Sequence, residues 1–179
     1  EQGAEIELDT VTGISGEAGH ITPADDAMWH AAVVGSGSYV MEGVGNSCEL
    51  VVATANQIAI NSGLMLLQGR WVAFEGQTAV AIESGTSGQF RRDCIYVRRS
   101  LDSVTMHDVY ELLVLRGQSA SSAAAAMRGT PEYASNSLFE GSDTVDIPIA
   151  EVLIEGVAPT ASYIIGSVPC YPELVERML

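Results

Sequence analysis

The stretch TANQIAINSGLMLLQGRWVAFEGQTAVAIESGTSG, Thr54 to Gly88, limits the fold more tightly than any other part of the chain. Its apolar runs, Gln57–Ile60, Leu64–Leu67, Trp71–Phe74 and Thr78–Glu83, each end on a small or polar breaker such as Asn61-Ser62-Gly63 or Gln68-Gly69-Arg70. Runs this short, separated by Gly and Asn, are the pattern of tight antiparallel hairpins. Parallel neighbours would need crossovers of about a dozen residues, and the breakers leave no room for them. The spacing therefore predicts an antiparallel meander over 38–88, opening at Tyr39–Met41 and continuing through Glu49–Ala53.

One helix is written clearly before it. In ITPADDAMWHAAVV, residues 21–34, Thr22 can cap and Pro23 suits the first helical position. Asp25 and Asp26 favour the positive end of the helix dipole, and Ile21 can staple onto the first turn. Met28, Trp29, Ala32 and Val33 form an apolar stripe at helical spacing, a candidate contact with a neighbouring subunit. Gly35-Ser36-Gly37 ends the helix.

After the meander, Asp93–Arg99 reads as a strand. Met106–Leu115 fits a buried strand or a short helix, and its flanking β-branched and aromatic residues favour strand. Residues 117–144 are dominated by small residues and read as a long excursion, expected to be the most mobile part. Residues 145–156 return to strand character, with Pro148 pointing to an edge or a bulge. The division expected is an N-terminal strand and loop over 1–20, a single β-rich domain over 21–156, and a tail over 157–179 in which PELVERML could make a turn or two of helix. The fold class is mainly β: a meander, sandwich or barrel-like module with one short N-terminal helix.

Charge excludes whole classes of function. With 23 acids, 8 bases and no lysine, the chain carries −15 and repels phosphate backbones, so no nucleic-acid partner is expected. No run approaches the ~18 apolar residues of a membrane span, so no membrane insertion is expected. Residues 1–13 lack the basic-then-apolar pattern of a signal peptide. Hydrophobic residues at 47% with only 6% aromatics call for a core of Ala, Val, Ile, Leu and Met.

No catalytic, cofactor or metal residues are expected. Cys48, Cys94 and Cys170 are odd in number and lack a CxxC, which favours a reducing compartment and a packing role. Asp25, Asp26 and His30 stand at i, i+1 and i+5, a spacing read as not sharing a helix face; His20 and His107 have no better partners. SerGlyThrSerGlyGln over 84–89 lacks the nucleophile-elbow spacing. GlyValGlyAsnSerCys over 43–48 precedes a strand rather than a helix, unlike a dinucleotide loop. A carboxylate pair for glycoside hydrolysis is allowed by composition and by nothing else.

The arginines are more pointed. Arg91, Arg92, Arg98 and Arg99 hold half of the positive charge within nine residues. They read either as salt bridges inside an acidic chain or as forks that meet a neighbouring subunit's carboxylates.

From Gly19 to about Gly156 the chain resembles tail, baseplate or tail-fibre-associated structural proteins of tailed phages and prophages of Gram-positive bacteria. Three stretches carry the resemblance: ITPADDAMWHAAVVGSGSYVM; NQIAINSGLMLLQGRWVAFE; and ESGTSGQFRRDCIYVRR followed by YELLVLRG. The resemblance implies a β-rich module of a virion tail, made in the host cytoplasm, without catalytic residues or cofactors. It implies closed symmetric assembly, a trimer favoured, with other tail proteins as partners. A second reading is a sandwich that binds host-surface saccharide through aromatics such as Tyr39, Trp71, Tyr96 and Tyr110.

Overall fold

The computed structural model describes residues 21–169. The expected strand over residues 5–8, His20, Cys170 and the turn of helix in PELVERML lie outside them. One helix, α1 (Pro23–Val34), leads into eleven strands: β1 (Ser38–Glu42), β2 (Leu50–Thr54), β3 (Gln57–Ile60), β4 (Gly63–Leu67), β5 (Arg70–Phe74), β6 (Thr78–Ala81), β7 (Phe90–Leu101), β8 (Asp108–Leu115), β9 (Thr144–Glu155), β10 (Ala158–Tyr163) and β11 (Gly166–Pro169).

The helix starts where its capping residues place it. Thr22 and Asp25 form a reciprocal capping box, each side chain accepting from the other's backbone N–H, with Pro23 in the first turn. The Thr22 side-chain bond, foremost, holds the Asp25 carboxyl below its ordinary value.

The strands form three sheets, ordered β11-β1-β4-β5, β10-β9-β7-β8 and β2-β3-β6, and they do not close into a barrel. This corrects the simple meander. Consecutive hairpins β2–β3 and β4–β5 do pair antiparallel, but β3 and β4 turn a corner at Asn61-Ser62 into different sheets, and β6 returns to pair with β3. Local alternation tells a strand which face to bury and says nothing about which strand lies beside it. One pairing is parallel: β11 lies along β1, Val40 opposite Ser167, after most of the chain has intervened. Residues 158–169, expected as a tail, are therefore strands of the domain.

All three sheets share one core. Val40, Met65 and Leu67 come from the first, Ile95, Val97, Val145, Ile147 and Ile154 from the second, and Ile58, Ile60 and Val80 from the third. Pro148 lies on the central strand β9 and is accommodated by a bulge, where the register slips between Ile95–Ala150 and Tyr96–Pro148. Cys48 and Cys94 are free and buried.

The small-residue excursion contains no helix and is tied down at many points. Ala120 bridges to Phe90, the Tyr133 N–H donates to Asp146, and Asn136 donates to the Thr144 carbonyl. Ala126, Pro131 and Leu138 are buried within it. These bonds give the polar groups of a segment without regular structure partners on β7 and β9.

Candidate interaction face

The β4–β5 turn, Gln68 to Trp71, joins several parts of the fold. Gln68 and Gly69 both have positive φ, 47° and 80°, the left-handed pair of a tight hairpin turn. Between them the four residues hold three other parts of the fold: the excursion, α1 and β8. The Gln68 side chain brackets the excursion, accepting from the Leu138 N–H at 2.8 Å and donating to the Asn136 carbonyl at 3.4 Å. Gly69 lies directly under α1; a Cβ there would run into the Ala27 carbonyl. Arg70 reaches Asp108 on β8 at 3.0 Å. Trp71 donates its indole N–H to His30 Nε2 at 2.8 Å.

That last bond decides the imidazole's tautomer. Nε2 accepts, so Nδ1 carries the proton, and Nδ1 faces the Gly69 carbonyl at 3.1 Å. Asp26 Oδ2 stands 3.6 Å from the same nitrogen. Of Asp25, Asp26 and His30, the latter two are an i, i+4 step that places them on one side of the helix, while Asp25 is engaged with Thr22 instead.

Pinned this way, α1 turns Ala27, His30, Ala31 and Val34 toward the domain. The predicted stripe faces the other way. Met28 is 46% exposed, Trp29 65% and Val33 67%, and Ala32 is exposed beside them; Trp71, 38% exposed, and Ile21 add to the apolar surface. A helix that presents Met28, Trp29 and Val33 to solvent has an outward face suited to a partner.

The four clustered arginines are engaged within the chain. Arg91 and Asp93 form a buried two-point fork at 2.8 and 2.9 Å. Arg91 also donates to the carbonyls of Glu83 and Ser84, and Asp93 accepts the Gly117 N–H. Arg92 pairs with Glu151. Arg98 forks Asp146 at 2.7 and 2.8 Å and lies over the Tyr133 ring, 5.0 Å from its centre. Arg99 pairs with Asp108, which it shares with Arg70, and donates to the carbonyls of Ser142 and Asp143. The Nε atoms of Arg70 and Arg99 are buried without an acceptor among the described residues. The intramolecular alternative therefore accounts for the cluster: it straps 83–84, 117 and the excursion to β7.

Electrostatics follow these contacts. Burial alone would raise the Asp146 carboxyl, but the Arg98 fork and the Tyr133 N–H outweigh it and hold the group below its ordinary value. Burial pushes the Cys48 thiol up to about 11 and, aided by Asp108, the Tyr110 hydroxyl to about 12.

Among the described residues no three His, Cys, Asp or Glu side chains converge to hold a metal, and no helix is long and apolar enough to cross a membrane. Of the aromatics weighed for saccharide, Trp71 is exposed, whereas Tyr39, Tyr96 and Tyr110 are half-buried. Sequence reasoning missed Gln68, Asp108 and Asp146. Gln68 carried a signal, a bulky residue before Gly in a two-residue turn. Asp108 and Asp146 carried none, because their partners are distant in sequence. Comparison with protein families, curated proteins and solved structures found no match to the chain.

Proposed function

We propose that the chain is a non-enzymatic structural subunit of a phage tail or baseplate, assembled in the virion through contacts between copies, a trimer favoured, and with other tail proteins. The observation that carries the subunit-contact part is the outward apolar face of α1, Met28, Trp29 and Val33, on a helix tied to the domain by the His30–Trp71 bond. The tail setting draws on the resemblance of the three quoted stretches. With the four clustered arginines occupied within the chain, the helix is the better placed of the two predicted contacts. Pre-ordered aromatic surface is what an interface hot spot requires.

Light scattering at roughly 100 μM tests self-association tighter than that concentration. A homo-oligomer that Trp29→Ala plus Val33→Asp converts to a folded monomer is the expected result. A wild-type monomer at that concentration would overturn the assembly reading. The exposed Trp29 and Trp71 keep a saccharide-binding reading in view, which a glycan array with the Trp71→Ala variant as control separates from assembly.

A further inference from the structure

Six strand edges are open among the described residues, and four of them carry recognised guards against stray pairing. β2 is broken by a register shift at Val52–Thr54, β10 contains Pro159, β11 ends on Pro169, and β6 has only four residues. The remaining two, β5 and β8, have neither proline nor bulge; α1 covers only the start of β5, and the charges of β8 are Asp108 at its first residue and Glu111. β5 reads Trp71-Val72-Ala73-Phe74 without charge, proline or bulge after its first residue, and the eight-residue β8 pairs with β7 in unbroken register.

These two edges flank one groove. Val72, Ala73 and Phe74 line one wall, Tyr110, Glu111 and Leu112 the other, with Val97 and Thr78 also contributing, around about 340 Å³. The Arg70–Asp108 ion pair ties the strands together where both begin. Their later residues line the same groove, so β5 and β8 leave that tie in the same direction. An extended segment running against both could pair its backbone with either wall, or with the two at once.

The side chains specify such a segment. Val72, Phe74, Tyr110 and Leu112 pack toward the core, so its inward residues must be apolar. On the outward side Glu111 is exposed and has no ion-pair partner among the described residues, because Arg98, directly opposite it on β7, is committed to Asp146. Glu75, next to Phe74, is likewise exposed and outside every ion pair described. Arg70 is occupied by Asp108. The rim is therefore acidic in a chain of net charge −15.

We infer that the β5–β8 groove is an acceptor for an extended strand of another protein, with apolar residues alternating with Lys or Arg. Main-chain pairing supplies the attachment, the alternating pockets supply register, and the rim carboxylates select charge. The chain's own Glu5-Ile6-Glu7-Leu8-Asp9 has the right apolar alternation and the wrong charge, since it would set three carboxylates beside Glu75 and Glu111. This inference stands on the groove and does not depend on the tail assignment.

The test uses the full chain and four synthetic peptides as long as β8. One alternates valine with lysine, one scrambles that composition, one alternates valine with glutamate, and one copies the residue 5–9 region. Binding is read by fluorescence anisotropy, and its location by amide hydrogen exchange. Binding of the valine–lysine peptide, with slowed exchange confined to β5 and β8, is the expected result. Glu75→Arg with Glu111→Arg, both at exposed positions, should weaken it by about tenfold at low salt and favour the valine–glutamate peptide. Equal binding of the scrambled peptide, protection elsewhere, or indifference to the double variant would overturn the inference. So would preferential binding of the residue 5–9 peptide, which would make the occupant the chain itself.

Discussion

Arg98 and Asp146 stand directly opposite each other on β7 and β9, and the guanidinium grips the carboxylate at two points, 2.7 and 2.8 Å apart. Asp146 is buried and also accepts the Tyr133 N–H, so one carboxylate joins the sheet to the excursion that covers it. Asp146→Ala should lower folding stability by about 3 kcal/mol, because a backbone donor and a charge lose their partner together. Urea unfolding measures it. A loss within about 0.5 kcal/mol, the range of an ordinary surface change, would show that the grip contributes little.

Acid should act through the same carboxylate. Its folded-state value is depressed, so the stability it contributes is present above the unfolded value of about 4 and is lost as pH falls through the folded one. Melting temperature should therefore drop on that side in the wild type. The drop should be shallower in Asp146→Asn, which starts lower and has no proton to take up. Parallel acid limbs in the two proteins would count against the assignment.

Alkali should act through buried acids that stay neutral in the fold. Burial raises Cys48 from 9.0 to about 11, so its contribution is complete below the unfolded value and declines as pH rises toward the folded one. Tyr163, whose hydroxyl donates to the Cys48 carbonyl, is raised in the same way. Thermal melts from neutral to strongly alkaline pH should show the decline, and Cys48→Ala should lessen its slope. Cys48 should also resist a thiol reagent until the protein unfolds.

Gly69→Ala should free the helix. The residue's φ of 80° disfavours any side chain, and the new methyl would meet the Ala27 carbonyl. A loss of more than about 1 kcal/mol is expected, with hydrogen exchange in α1 accelerated more than in β9. Gly76→Ala is the control, since a Cβ there meets nothing within 4 Å.

Replacing Arg98 and Arg99 together by Glu should unfold the protein rather than only dissociate it. Arg99 is 5% exposed and Arg98 is bound to a buried carboxylate, so the change sets like charges against Asp108 and Asp146. Circular dichroism taken alongside light scattering distinguishes the outcomes. A folded double variant would mean that the strapping carboxylates are more accessible than their burial indicates.

The trace of the chain was legible where local chemistry sets local structure. Thr22, Pro23 and Asp25 mark the start of α1 because a helix end leaves unpaired N–H groups that these residues satisfy. The runs after Asn56 became β3 to β6 nearly residue for residue, because Gly and Asn turns separate strands wherever the chain finally lays them. Pro148 pointed to an edge or a bulge, since a residue without an N–H cannot complete a central ladder, and the structure chose the bulge.

Neighbourhood belongs to the tertiary structure alone. Nothing local in Gly166–Pro169 points to Ser38–Glu42, and nothing in Gln68 points to Leu138. The alternation that makes Trp71–Phe74 a strand is silent on whether its far edge is paired or open. Arg98 could be seen to need a carboxylate, but choosing Asp146 over Glu111 required the sheet to bring both within reach and the excursion to bury one of them. Sequence marked most of the extended segments and their apolar faces, because those depend on residues a few steps apart, but not β10 and β11, which were read as a tail. Which edges meet, which charges pair and which apolar face stays outside were decided by packing between segments far apart in the chain.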